Sequence, residues 1–156
     1  MKITLLVVGK TVSPALQTLT EDYCRRLTHY VPFSLQVIPD LKNSKNLSQD
    51  EQKQREGALV LSALSPSDRL VLLDEHGKEY RSVDFAQQLN MWLAAGRNIV
   101  FVVGGPYGFS PAVYERANDK LSLSQMTFSH QMIRLFFAEQ LYRAMTILRS
   151  EPYHHE

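Results

Sequence analysis

The residue types able to move a proton, hold an anion or cradle a small molecule gather in one stretch, from Ile99 to His155. It opens with a buried-strand run, Ile99-Val100-Phe101-Val102-Val103, which breaks into Gly104-Gly105-Pro106-Tyr107-Gly108. Glycine has no Cβ, so this turn lets main chain approach a ligand closely. Read by itself, it is first of all a tight strand-to-helix connection. It fits neither GxGxxG nor the P-loop pattern, so a dinucleotide or triphosphate site has little support. Next comes Leu121-Ser122-Leu123-Ser124-Gln125-Met126-Thr127-Phe128, with no Asp, Glu, Lys or Arg. The main-chain groups of such a loop can wrap an adenine, with Leu123 and Met126 against the ring faces. The plainer reading is a buried connection.

His130, Arg134, Glu139 and Arg143 share one long helix pattern, from about His130 to Leu148. Apolar residues cover so much of it that the helix must be largely buried, and a second copy of the chain is one way to cover part of it. Arg143 there needs a carboxylate, a carbonyl or a substrate phosphate. A structural ion pair and a functional role are equally open. Tyr153, His154 and His155 follow. The adjacent histidines lack any Cys or Asp/Glu cluster at ligand spacing, so no metal is expected. Pro152-Tyr153 is a stiff aromatic piece able to fold over a pocket, although a frayed polar terminus is the usual case. No Ser-His-Asp ordering or Cys-His pairing stands out, which argues against nucleophilic hydrolysis.

These residues need elements to position them. Ile3–Val8, Phe33–Ile38, Leu70–Asp74 and Ile99–Val103 read as strands, with a short fifth near Leu121–Leu123. Helical patterns run over Pro14–Leu27, Ser48–Leu64, Asp84–Leu93 and from Ser110-Pro111 to about Asn118. Ser48 and Glu51 have capping-box spacing. Glu75-His76-Gly77-Lys78 reads as a turn, and Asp40–Asp50 as a flexible connection. The alternation predicts an α/β fold, a mostly parallel sheet flanked by helices. Ligands in such sheets sit at the carboxyl ends of strands, where Asp74 and Gly104 fall.

At 156 residues, one domain suffices. The net charge of +1, from 17 basic against 16 acidic residues, is not the excess expected of a protein gripping nucleic acid through phosphates alone. Cys24 is the single cysteine, which fits a reducing cytoplasm. The apolar start is too short to span a membrane and lacks a signal-peptide cleavage pattern, so it reads as the first strand and no membrane partner is expected.

Several motifs recur together and in order. They are Met1-Lys2-Ile3-Thr4-Leu5-Leu6-Val7-Val8-Gly9-Lys10, Leu72-Leu73-Asp74-Glu75-His76-Gly77-Lys78, Phe101-Val102-Val103-Gly104-Gly105 and the Leu121–Phe128 loop. His130-Gln131-Met132-Ile133-Arg134, Glu139-Gln140-Leu141-Tyr142-Arg143-Ala144 and Pro152-Tyr153-His154 complete them. From end to end the chain resembles the ribosomal RNA large subunit methyltransferase H family of SPOUT methyltransferases. The resemblance implies a single α/β domain over residues 1–156 with a C-terminal trefoil knot that forms the S-adenosylmethionine site. It also implies a homodimer in which one subunit's pocket is completed near the other's C-terminal tail. The implied substrate is a pseudouridine of 23S rRNA, methylated at N3, preferably in the assembled ribosome; a near-neutral dimer docked in a ribosomal cleft suits that preference.

Carried over by motif, Leu73 and Gly104 lie at strand ends beside the cofactor. Leu123, Ser124, Gln125, Met126, Thr127 and Phe128 wrap the adenine. His130, Arg143, Tyr153 and His154 match positions around the RNA and the reacting base. His154 is the expected proton acceptor, with His130 its rival. Arg143 would hold developing negative charge or a phosphate, and Tyr153 would stack by the base. Tyr107 and His155 receive no role. A non-catalytic ribosome-binding factor of the same fold, without cofactor, is the alternative.

Overall fold

Every residue of the runs Ile3–Val8 and Ile99–Val103 is buried, because both lie at the centre of a sheet covered on its two faces. The computed structural model describes residues 1–155; Glu156, where the expected domain ends, lies outside the described residues. In chain order the elements are β1 (Ile3–Val8), α1 (Pro14–Leu27), β2 (Phe33–Ile38), α2 (Gln49–Ser62), β3 (Arg69–Glu79) and α3 (Ser82–Ala94). They continue with β4 (Ile99–Val103), α4 (Pro111–Arg116), β5 (Asp119–Ser122) and α5 (Met132–Leu148). The five strands form one sheet in the order β2-β1-β4-β3-β5, and every pairing is parallel.

Strand side chains alternate between the faces. Leu5, Val7, Val71 and Phe101 meet Leu27 of α1, Leu89 and Trp92 of α3, and Phe137 and Leu141 of α5. On the other face Leu6, Leu72, Val100 and Val102 meet Val60 of α2 and Val113 of α4. Two helices begin with the same device. Ser13 caps α1 and Ser110 caps α4, each side chain accepting a main-chain N–H three residues on, with proline in the first helical positions. Ser48 accepts the Glu51 N–H at the start of α2. Among the described residues no helix is long and apolar enough to cross a membrane.

Besides shifts of one or two residues at the ends of α2, α3 and α4 and the start of β3, four features differ from the sequence reading. The expected turn at Glu75–Lys78 is instead a continuation of β3. Leu73 and Lys78 both face Leu121 of β5, so residues 74 to 77 bulge out between them. Gly77 makes this possible. A Cβ there would stand 2.6 Å from the Lys120 carbonyl carbon, too close for any side chain. The connection read as wholly flexible holds a short 3₁₀ turn at Ser44–Asn46. β5 starts two residues earlier than expected, at Asp119. Finally, α5 begins at Met132, so His130 lies in a turn before the helix. Ser129 ties that turn to the first residues of the helix, its Oγ accepting the Met132 N–H and its carbonyl the Ile133 N–H.

Candidate active site

Parallel strands deliver their last residues to one edge of the sheet, and there a cavity of about 730 Å³ opens. Its size is that of a small-molecule or cofactor site. Leu73 of β3, Val103 of β4 and the following Gly104 form its floor, and the Gly105–Gly108 turn one wall. Leu123, Ser124, Met126, Thr127, Phe128 and Ser129 close it, and His130 and Ile133 stand where α5 begins. The β3 bulge carries Asp74, Glu75 and His76 onto the wall.

The charged residues on this surface are Asp74 and Glu75; among the described residues no lysine or arginine lines it. A phosphate would meet no cation here, whereas a positively charged ligand would be welcomed. Asp74 is well ordered: the Tyr114 hydroxyl donates to Oδ2 at 2.6 Å and the His76 N–H to Oδ1 at 2.9 Å. Burial pushes its pKa up, but these donors and the His76 ring more than offset that, leaving the carboxyl below its usual range. Burial and Asp74 together push the Tyr114 hydroxyl up to about 12.

Side chains latch the closing loop to the bulged strand. The Thr127 hydroxyl donates to Glu75 Oε2 at 2.6 Å, and Gln125 Nε2 donates to Glu79 Oε1 at 3.0 Å. Within the loop, Ser124 Oγ accepts the Met126 N–H, and the Ser122 hydroxyl donates to the Ser124 carbonyl. The turn holding His130 is tied to the end of β1 by Arg134, which is fully buried. Its guanidinium donates to the carbonyls of His130, Gly9 and Val8 and to the Thr11 hydroxyl.

A second polar cluster occupies the other end of α5. Arg143 Nη2 donates to Glu139 Oε1 at 2.5 Å, while Arg143 Nη1 lies 3.1 Å from His154 Nδ1. Tyr153 donates to the same Glu139 oxygen at 2.9 Å, its hydroxyl 3.2 Å from that of Tyr23. Burial pushes the Tyr153 pKa well up, and Tyr23 and Glu139 add to it. Its ring packs edge-on against Tyr142 at 4.7 Å and under the Arg143 guanidinium at 4.9 Å. A guanidinium only donates, so His154 Nδ1 accepts and a neutral ring carries its proton on Nε2. The tail is therefore not frayed here. It is seated on α1 and α5, with the Glu151 N–H on the Thr146 carbonyl and the Tyr30 hydroxyl on Glu151.

The structure thus brings Leu73, Gly104, Leu123, Ser124, Met126, Thr127, Phe128 and His130 to one cavity. The Gln125 side chain is turned away to Glu79. Arg143, Tyr153 and His154 stand apart. At the rise of an α-helix, Arg143 lies about 15 Å along α5 from Ile133 at the cavity. Sequence reasoning gave no role to Glu75, Glu79 or Glu139, though Glu139 and Arg143 have the spacing of a helical ion pair. Ser129 was also missed; a serine three residues before the apolar run was the available signal.

Comparison with known proteins gives the arrangement a context. A family model described as a predicted SPOUT methyltransferase matches residues 1–154. A protein of Phocaeicola vulgatus named ribosomal RNA large subunit methyltransferase H is 58% identical over the full length of both chains. Proteins of the same name from Porphyromonas gingivalis and Flavobacterium johnsoniae are 60% and 57% identical, again with both chains fully covered.

Proposed function

The chain belongs to the SPOUT methyltransferase family, and from that premise we propose its reaction in full: methylation at N3 of a pseudouridine in 23S rRNA of the assembled ribosome. It is an S-adenosylmethionine-dependent ribosomal RNA methyltransferase, like the relatives it matches along its whole length. The observation that carries this reading is the cavity. It has the volume for such a cofactor, a closing loop without charged residues, and carboxylates in place of cations on its wall. Those features suit a ligand with an adenine at one end and a positive charge elsewhere.

When bound, S-adenosylmethionine supplies an electrophilic methyl carbon on a positively charged sulfur. Leu73 and Gly104 would lie beneath it, and Leu123, Ser124, Met126, Thr127 and Phe128 would enclose the adenine. Gln125 would contribute through its main chain, because its side chain is engaged with Glu79. The acceptor nitrogen must lose a proton before it can attack, and a positioned base contributes typically 10²–10⁴-fold in rate. His154 takes that proton at Nδ1 once Arg143 releases it. The polar pyrimidine, on binding, draws the Arg143 guanidinium away and frees the Nδ1 lone pair, and Arg143 then holds the negative charge that develops as the proton leaves. Tyr153 stacks beside the base, held by Glu139, about whose carboxylate the Arg143 guanidinium pivots as it leaves His154. His130, already at the cavity, is the competing base.

Within one protomer the cavity and this cluster are about 15 Å apart along α5. A homodimer resolves the separation by carrying the tail of one copy to the cavity of the other. An apolar groove beside β5 supports such an interface. It is lined by Tyr80, Phe85, Leu123, Phe128 and Phe136, and both Phe128 and Phe136 remain more than one-third exposed. The reading includes one domain over residues 1–156, a C-terminal trefoil knot and a cytoplasmic location. In support of the knot, β4 inserts between β1 and β3 and α5 then returns across the sheet to pack with α1 and α3.

The test is transfer of labelled methyl from S-adenosylmethionine to ribosomes from a strain lacking the enzyme, with separate large subunits and naked rRNA alongside. Mass spectrometry should find N3-methylpseudouridine on assembled ribosomes. No label on any substrate, from folded protein, would overturn the reading in favour of a ribosome-binding factor.

A further inference from the structure

On the far side of the Gly104-Gly105 turn lies an acid that the mechanism above does not use. Glu56 of α2 is 5% exposed. Its Oε2 accepts from Gln52 Nε2 at 3.2 Å, whereas Oε1 is buried with no hydrogen-bond partner among the described residues. Its neighbour Lys53 lies 3.5 Å from Asp50. Burial pushes the Glu56 carboxyl up, Gln52 draws it down and the Asp40 carboxylate pushes it up again.

A buried, half-satisfied carboxyl group costs stability and calls for an explanation: burial opposes its charge, and a cation held across a thin wall would favour the ionised form. Its position supplies one. Gly104, Gly105, Gly108 and Phe109 line both the cofactor cavity and the small pocket that holds Glu56. At Gly105 the partition is bare main chain, since a Cβ there would stand 2.4 Å from Glu56 Oε1. Glycine therefore leaves the carboxylate one thickness of backbone away from whatever fills the cavity.

We propose that Glu56 is a specificity-determining residue for the cofactor, its buried carboxylate acting through the glycine wall to favour the positively charged methyl donor over the neutral thioether product. The inference rests on the cavity being the S-adenosylmethionine site. Methyl transfer forms a carbon–nitrogen bond at the base, breaks the carbon–sulfur bond and leaves that electron pair on sulfur. The nitrogen's proton goes to the general base. The ligand's sulfonium charge disappears in the same step, and with it the attraction to Glu56, so product is released and fresh donor enters preferentially. Across so thin a wall, one unit charge is worth on the order of tenfold in affinity.

Titration calorimetry on the full chain decides this without reference to turnover. The ligands are S-adenosylmethionine, S-adenosylhomocysteine and sinefungin, in which an amine-bearing carbon replaces the methylated sulfur. Glu56→Gln keeps the shape and removes the charge. It should weaken both cationic ligands by about tenfold and leave the thioether within about twofold. An equal loss for all three ligands, the mark of a merely structural residue, would overturn the proposal, as would no change for any. Should Glu56→Gln not fold, Glu56→Asp serves instead: with the carboxylate drawn back from the wall by one methylene, its preference for the cationic ligands should fall below that of wild type. Wild type that binds all three without that preference would overturn this inference alone. Wild type that binds none would overturn the reading of the cavity and this inference with it.

Discussion

The two ends of α5 solve different problems with different materials. At its N-terminal end the cavity is made of main chain, glycine and small side chains, and its polar side chains hold the walls. At its C-terminal end a cluster of long side chains, Arg143, Glu139, Tyr153 and His154, satisfies itself internally. The first region has the shape of a small-molecule site. The second has the chemistry of a site but is closed on itself. On the proposed reading a ligand's form is recognised by backbone, while the groups assigned to proton transfer are held in mutual hydrogen bonds until substrate exchanges for them.

Perturbations should separate the regions. The largest effect is expected from Arg143→Ala, which strips Glu139 and Tyr153 of their cation. Turnover on ribosomes should fall by about 10²–10³-fold, while S-adenosylmethionine affinity, read by calorimetry, stays within about twofold. Of the base candidates, His154→Ala should cost about 10²-fold and His130→Ala less. Full turnover in both variants at neutral pH would end the general-base assignment.

Gly77→Ala acts on the other region. Its Cβ would meet the Lys120 carbonyl carbon at 2.6 Å and the Leu121 nitrogen at 2.7 Å. The β3–β5 pairing must shift, with a loss of about 1–3 kcal/mol in denaturant unfolding and weaker cofactor binding. Thr127→Val removes the latch to Glu75 and should cost about 1 kcal/mol, roughly fivefold in cofactor affinity, without altering the fold. The smallest effect concerns Asp74, whose folded pKa lies below its unfolded value. Its stabilising contribution is fully present above an unfolded pKa near ~3.9 and is lost as pH falls through the lower folded value. Asp74→Asn should flatten that part of the acid-unfolding curve.

The sequence carried much of this, and where it failed the reasons are local. Apolar runs located the strands, and Ser110-Pro111 marked the start of α4. Element type is written in periodicity, but strand order is not. Nothing in the runs themselves places β4 between β1 and β3. Glu-His-Gly-Lys looked like a turn because glycine usually marks one. Here the glycine is needed for close approach to β5, and that bulge brings Asp74 and Glu75 to the cavity. The loop over the cavity was legible from its lack of charge, whereas its anchors Glu75 and Glu79 were not, being distant in sequence and polar. Glu56 was invisible for a similar reason: on a polar helix nothing but the packed structure shows that it is buried.

The claim that joins both regions is that a working site takes its cavity from one copy and its Arg143–His154 cluster from another. Co-expression of two inactive variants tests it directly. Gly104→Val would crowd the cavity floor against Phe109, and His154→Ala would remove the base. In the purified mixed dimer, one of the two composite sites keeps an intact cavity and an intact tail. About half of wild-type methyl transfer per dimer should return, while each variant alone stays inactive. A verified mixed dimer with no restored activity would contradict the account and return both regions to a single protomer.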